Sequence, residues 1–109
     1  PRISAVQAQG FEGLSKSHFE PGTASTRADG IAIRKPLRKL EILRAIEHTG
    51  GQIFVVTEKE IAEARNKLAA MGWLVEYASA TAYAAVTKTT DTQEKILIPL
   101  TGNGLKNPS

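Results

Sequence analysis

Thr101, Gly102, Asn103 and Gly104 form the stretch of the sequence best suited to bind a ligand. Glycine has no side chain, so the backbone N–H groups of a Thr-Gly-x-Gly turn can approach a bound molecule closely, and the threonine adds one hydroxyl. The stretch lacks the lysine of a phosphate-binding nucleotide loop, and Pro108 follows too soon for a long helix. The residue pattern therefore leaves two interpretations open, an ordinary tight turn and a ligand-binding turn.

The other potentially reactive side chains have simpler structural explanations. His18 and His48 lie far apart, and neither has a second histidine or a paired carboxylate at metal-ligand spacing. Ser79 lies outside any G-x-S-x-G context, so we predict that it caps the N-terminus of a helix. The chain has no cysteine, which excludes thiolate metal clusters and disulfides. We therefore predict no metal site and no nucleophile.

Three runs of residues have the composition of buried strands. Residues 95–100 (KILIPL) directly precede the Thr-Gly-x-Gly turn, with Pro99 near their end. Residues 3–8 (ISAVQA) and 52–56 (QIFVV) are the other two, and the continuous apolar character of 52–56 predicts a strand covered on both faces. Residues 29–33 (DGIAI) predict a turn followed by a short extended stretch.

Three helices are predicted between these strands. Pro36 fits the first position of one helix, and Gly50 ends it. Thr57 and Glu60 form a T-x-x-E capping box at the start of the next. The third spans residues 78–86 (ASATAYAAV), whose small side chains allow close packing. The apolar positions that repeat along the first two helices are Leu37, Leu40, Leu43 and Ile46, and then Ile61, Ala64, Leu68 and Met71.

The alternation of strands and helices predicts an α/β fold with a partial, open, mostly parallel sheet flanked by helices. Residues 1–109 form a single piece of such a fold, with a loop-rich connection over residues 11–28. Ligands of open α/β sheets bind beyond the carboxyl ends of the strands, and residues 101–104 are predicted to lie there.

Charge and hydropathy narrow the choice of partners. The formal net charge is +3, and the main basic run comprises Arg34, Lys35, Arg38 and Lys39. The run has no interleaved aromatic residues on which bases could stack, so we expect no nucleic-acid partner. No apolar run approaches the roughly 20 residues needed to cross a bilayer, so we expect a cytoplasmic protein with no membrane partner.

The ordered set of motifs resembles the C-terminal part of threonine synthase, a pyridoxal-phosphate enzyme family of fold type II. The segments that carry the likeness are PRISAVQAQG, TRADGIAIRKP, VTEKEIAEARNKLAAMGWLVEYASATAYAAV and LTGNGLKNP, which together cover nearly the whole chain. The final segment is the most specific, because threonine synthases typically read Thr-Gly-His-Gly-Leu-Lys-Asp or Thr-Gly-Asn-Gly-Leu-Lys-Asp there. ADGIAI and the E-x-A-S-A pattern are shared with threonine dehydratases and identify only the superfamily.

The resemblance implies that the Thr101 hydroxyl faces the pyridine nitrogen of pyridoxal 5'-phosphate. It also implies that Gly102 and Gly104 keep the turn thin beside the ring and that Asn103 lies near it. A neutral hydroxyl does not stabilise a protonated pyridinium as an aspartate would, so the ring would be a weaker electron sink.

Glu76 and Ser79 match a segment that commonly reads EPASA and lines the far side of the cofactor. Tyr77 replaces its usual proline, and Asn107 stands where the family often has aspartate.

For an intact enzyme, the resemblance implies conversion of O-phospho-L-homoserine and water to L-threonine and phosphate, with a homo-oligomer as the expected state. In the family, the Schiff-base lysine and the glycine-rich phosphate loop precede the matched region, and no lysine here has that sequence context. Because the sequence also opens at Pro1, we expect a fragment that is inactive alone and contains no catalytic residue. A threonine or serine dehydratase-like lyase and a non-catalytic binding module remain the alternatives.

Overall fold

The structure is a computed structural model that describes residues 1–12, 14, 28, 37–88 and 95–106. Its elements in chain order are β1 (Ala5–Ala8), α1 (Lys39–Thr49), β2 (Ile53–Val56), α2 (Glu58–Ala70) and α3 (Tyr77–Ala84), with short 3-10 turns at Ala85–Lys88 and Gly104–Lys106. The predictions for His18, for residues 29–33, for Pro36, for Asn107 and for most of the connection 11–28 fall outside the described residues.

The two strands pair in parallel, with Ala5 opposite Ile53 and Ala8 opposite Val56. Since α1 lies between them in the chain, the α/β class with a small parallel sheet is confirmed. The prediction that β2 is covered on both faces is wrong for the part of the chain described, because only Val56 is buried and its other residues are half-buried. A strand becomes fully buried only when both of its faces are packed.

The core lies where α2 and α3 pack against each other and where α3 meets the strands. Small residues of α3 allow this close approach, as predicted. The buried residues that these two helices contribute are Ile61, Ala64 and Leu68 from α2, and Tyr77, Ala80 and Ala84 from α3. Met71 was predicted to share the α2 stripe, but it is 55% exposed because it lies beyond the last helical turn as the C-cap residue.

The predicted capping box is present at the start of α2. The Thr57 hydroxyl accepts the Glu60 N–H at 3.2 Å, and the Glu60 carboxylate accepts the Thr57 N–H at 2.9 Å. The ammonium of Lys88 lies 3.2 Å from the same carboxylate. The hydrogen bond from the Thr57 backbone, aided by Lys88, lowers the pKa of Glu60 despite the opposing effect of desolvation.

The first helix begins later than its apolar pattern suggests and buries little of it. It starts at Lys39, and of the predicted stripe only Ile46 is buried, whereas Leu37 and Leu40 are exposed. The predicted end is correct, because Gly50 adopts the left-handed conformation, with φ of 74°, that terminates helices. An apolar stripe becomes core only where another element packs on it.

The prediction of a buried strand over residues 95–100 is wrong. These residues form no strand, and all of them are exposed except the half-buried Ile98. The sheet of the described residues consists of β1 and β2 alone, so this extended segment has no neighbouring strand with which to form a ladder. The residues that follow it are positioned by α3 instead.

Candidate functional site

Ser79 lies inside α3 and does not cap it, in contrast to the prediction from sequence. The helix begins at Tyr77, and Glu76 occupies the N-cap position without a side-chain capping bond. The Ser79 oxygen instead accepts hydrogen bonds from two backbone N–H groups, those of Thr101 at 3.2 Å and of Gly102 at 3.0 Å. A hydroxyl oxygen has two lone pairs, and these two N–H groups use both, so none is left to cap the helix. The role of Ser79 is therefore to anchor the 101–104 turn.

Two hydroxyls of different exposure meet at this anchor. The Ser79 and Thr101 oxygens are 3.4 Å apart. Ser79 is only 6% exposed, whereas Thr101 lies at the surface. The arrangement presents one polar side chain outward and supports it with a second, buried one.

The backbone of the turn is held by the segment that precedes α3. Val75 and Asn103 form an isolated antiparallel bridge. The N–H of Glu76 donates to the Gly102 carbonyl at 3.1 Å, and the N–H of Gly104 donates to the Leu74 carbonyl at 3.0 Å. The turn also supports itself, because the side-chain oxygen of Asn103 accepts the N–H of Leu105 at 2.8 Å. Short-range and long-range hydrogen bonds thus define its shape together.

Both glycines of the turn pack closely against side chains of this segment. A Cβ atom added at Gly102 would lie 2.0 Å from Cδ of Glu76, and one at Gly104 would lie 2.5 Å from Cγ of Leu74. Carbon atoms cannot approach so closely, so a larger residue at either position would have to displace the Glu76 or the Leu74 side chain. Protein packing therefore accounts for these glycines whether or not a ligand lies beside them.

Arg65 of α2 connects the same segment to the turn, and sequence reasoning missed it. Its Nε donates to the Val75 carbonyl and its Nη2 to the Gly104 carbonyl, each at 3.0 Å. The guanidinium also lies 4.3 Å from the centroid of the Tyr77 ring, which is 5% exposed. The sequence feature that could have pointed to Arg65 is its position four residues after Ile61, on the apolar side of α2.

Tyr77, which stands where the resembled segment usually has proline, is part of the core. Its ring belongs to the core cluster and carries the Arg65 guanidinium, so the residue has a packing role.

The six residues predicted to form a site all lie around this turn. The turn itself contributes four of them, and the segment at the start of α3 contributes two. The residues are Thr101, Gly102, Asn103 and Gly104, with Glu76 and Ser79. Among the described residues there is no cluster of three acidic or histidine side chains that could hold a metal ion, and no helix with the length and apolarity to cross a membrane.

Residues 1–102 match the model of the family described as "Pyridoxal-phosphate dependent enzyme". The chain belongs to this family. The match ends within the turn described above, so both the parallel strands and the Ser79 anchor lie inside it. Pyridoxal phosphate is accordingly the cofactor of the family to which the chain belongs.

Two curated relatives are threonine synthases. That of Methanocaldococcus jannaschii is 34% identical over 99% of this chain and 30% of the relative's length. That of Bacillus sp. (strain ULM1) is 34% identical over 99% of this chain and 32% of its own length. The chain therefore spans about a third of the length of the curated relatives that it matches.

A solved structure shares the fold. The crystal structure of a threonine deaminase from "T.th." superposes with a TM-score of 0.67 at 24% identity, covering 94% of this chain and 39% of that one. At this identity the likeness establishes the fold type alone.

The donor set at the turn fits one end of pyridoxal phosphate. A pyridine nitrogen can pair with a single polar group, and the hydroxyl of the exposed residue Thr101, in contact with the buried Ser79, is such a group and carries no formal charge.

Proposed function

We propose that this chain is the C-terminal part of a threonine synthase, an enzyme that converts O-phospho-L-homoserine and water to L-threonine and phosphate. The identity of 34% to two threonine synthases over 99% of the chain supports this reaction. The observation that carries the proposal is the Thr101 hydroxyl, held at the surface of the turn by Ser79, because it offers the ring nitrogen of pyridoxal phosphate a neutral partner.

The contribution of this chain to the reaction is to bind and orient the cofactor. When bound, the cofactor supplies an electron sink for the carbon atoms of the substrate. Thr101 would hold the nitrogen end of the ring, and the hydrogen bonds of the turn would fix the position of Thr101. Arg65 and Ser79 hold that turn from two helices. No acid–base step is assigned to the described residues, in keeping with the expectation that the Schiff-base lysine belongs to another part of the intact protein.

The reaction can be tested with the protein expressed from its complete coding sequence. We expect purified protein with pyridoxal phosphate to release phosphate from O-phospho-L-homoserine and to form L-threonine in equal amount. Formation of 2-oxobutanoate from threonine, without threonine synthesis, would establish a dehydratase-like lyase instead. Failure to bind pyridoxal phosphate would favour a non-catalytic binding module and overturn the proposal.

The activity of residues 1–109 alone and the oligomeric state of the complete protein can be tested in the same set of experiments. We expect residues 1–109 alone to be inactive in the same assays and the complete protein to form a homo-oligomer, measured by light scattering. Turnover by residues 1–109 alone would show that the catalytic residues are present in this chain.

A further inference from the structure

We infer that Arg65 is a positioning residue, which fixes the orientation of the bound cofactor by holding the far end of the 101–104 turn. The inference rests on the proposed function and deepens it, because it names a residue of α2 that acts through the backbone of the turn. Ser79 of α3 binds the start of the turn through two backbone N–H groups, and Arg65 binds its end through the Gly104 carbonyl. Two helices therefore hold the two ends of the turn separately.

Arg65 adds hydrogen bonds that the bridge between the turn and the segment before α3 does not make. The hydrogen bonds of the bridge itself use the N–H groups of Glu76 and Gly104 as donors. The carbonyls of Val75 and Gly104, one from each side of the bridge, accept instead from Nε and Nη2 of Arg65, at 3.0 Å each. Val75 and Gly104 are both buried. Loss of the guanidinium would therefore remove two hydrogen bonds that water replaces only in part.

The arginine is itself restrained at its backbone and at its charged end. Ala64 beside it and Leu68 in the next turn of α2 are both buried in the core, so the helix is fixed at this point. The guanidinium lies 4.3 Å from the centroid of the Tyr77 ring, which is buried at the start of α3. A side chain restrained in this way can transmit the position of α2 to the Gly104 carbonyl.

Removal of Arg65 should release the end of the turn and leave its start in place, because Ser79 still binds the start. The turn is then free to pivot about its first residues, and a ring bound beside it loses its fixed orientation. A lysine should replace the arginine only in part, since an ammonium lacks the fork that reaches two carbonyls at once. We therefore expect a cofactor that is bound more weakly and in a changed orientation.

Three variants of the complete protein separate this role from general support of the fold. Arg65→Met removes the fork, and Arg65→Lys keeps the positive charge and takes its place should the methionine variant fail to fold. Arg44→Met makes the same chemical change at an exposed position of α1 and is the matched control. Amide hydrogen exchange at Gly102 and Gly104 reports on the two ends of the turn, because the first N–H binds Ser79 and the second binds the bridge.

The experiment titrates the cofactor-free complete protein with pyridoxal phosphate and records the circular dichroism of the bound cofactor at saturation. We expect the apparent dissociation constant to rise roughly tenfold in Arg65→Met and roughly threefold in Arg65→Lys, and to stay unchanged in Arg44→Met. The dichroic band of the cofactor should weaken in both Arg65 variants even at saturation, because it reports the orientation of the ring in its site. Amide exchange should accelerate at Gly104 and stay slow at Gly102.

A dichroic band of normal strength in the saturated Arg65 variants would overturn the inference alone, because Arg65 would then only support the fold. An unchanged dissociation constant, or equal acceleration of exchange at Gly102 and Gly104, would overturn it too. Absence of pyridoxal phosphate binding by the unaltered protein is a different result, seen without any variant, and it would overturn the proposed function together with this inference.

Discussion

Replacing Arg65 by methionine should weaken the attachment of the 101–104 turn to the rest of the fold. The guanidinium donates to the carbonyls of Val75 and Gly104 at 3.0 Å each and lies 4.3 Å from the centroid of the Tyr77 ring. A hydrogen bond from a charged group contributes about 1.5–3 kcal/mol and a cation–π contact about 0.5–1 kcal/mol. Arg65 is partly exposed, so water can replace part of the energy of these contacts. We therefore expect Arg65→Met to lower the free energy of unfolding by about 2–4 kcal/mol.

The measurement is denaturant unfolding followed by circular dichroism, combined with amide hydrogen exchange. Exchange at Glu76 and Gly104 should accelerate, because their N–H groups close the bridge that Arg65 supports. Arg65→Lys should recover only part of the loss, since an ammonium lacks the forked geometry that reaches two carbonyls at once. Arg44→Met makes the same chemical change at an exposed position of α1 and should alter the free energy of unfolding by no more than about 0.5 kcal/mol.

The reasoning would be refuted if Arg65→Met unfolded like Arg44→Met and left the amide protection of Gly104 unchanged. A loss of global stability with normal protection at the turn would also contradict it. In that case Arg65 would stabilise α2 without holding the turn.

Gly51→Ala should destabilise the fold by about 3 kcal/mol, because the added Cβ would lie 1.7 Å from the Ile3 carbonyl oxygen. In the neighbouring Gly50→Ala the Cβ would meet only Cδ of Arg2, at an ordinary 3.8 Å. That change should cost only about 1–2 kcal/mol for its left-handed conformation, so equal unfolding midpoints would disprove the clash. The lowered pKa of Glu60 predicts stability that is fully present above the ordinary glutamate pKa and is lost as the pH falls through the lowered value. Glu60→Gln should flatten that decline whereas the exposed Glu47→Gln should keep it, and identical pH profiles of unfolding would count against the contribution of Glu60.

The local features of the fold could be predicted from the sequence. The T-x-x-E pattern of Thr57 and Glu60 forms the predicted capping box because its hydrogen bonds join residues three apart in one helical turn. Gly50 ends α1 for an equally local reason, its left-handed backbone. The parallel pairing of β1 and β2 was predictable from the helix between them.

The errors arose where a prediction needed a distant partner. Residues 95–100 have the composition of a strand, but composition does not supply a neighbouring strand. Ser79 has the residue type of an N-cap, yet its oxygen accepts N–H groups from residues 101 and 102, which are 22 and 23 positions away in the chain. Arg65 carries no motif, and only the packing of α2 beside the turn gives it two carbonyls to bind.

The sequence alone therefore determined the capping box, the end of α1 and the parallel connection, and its resemblance to threonine synthases grouped Glu76 and Ser79 with residues 101–104. Each of these depends on spacing along the chain or on a motif that can be read in order. The tertiary structure alone decided that Ser79 anchors the turn, that the Glu76 and Leu74 side chains pack against the two glycines, and that Thr101 is exposed. Those outcomes depend on which hydrogen-bond donors and carbon atoms meet across the fold, and such meetings exist only after α2, α3 and the turn have packed together.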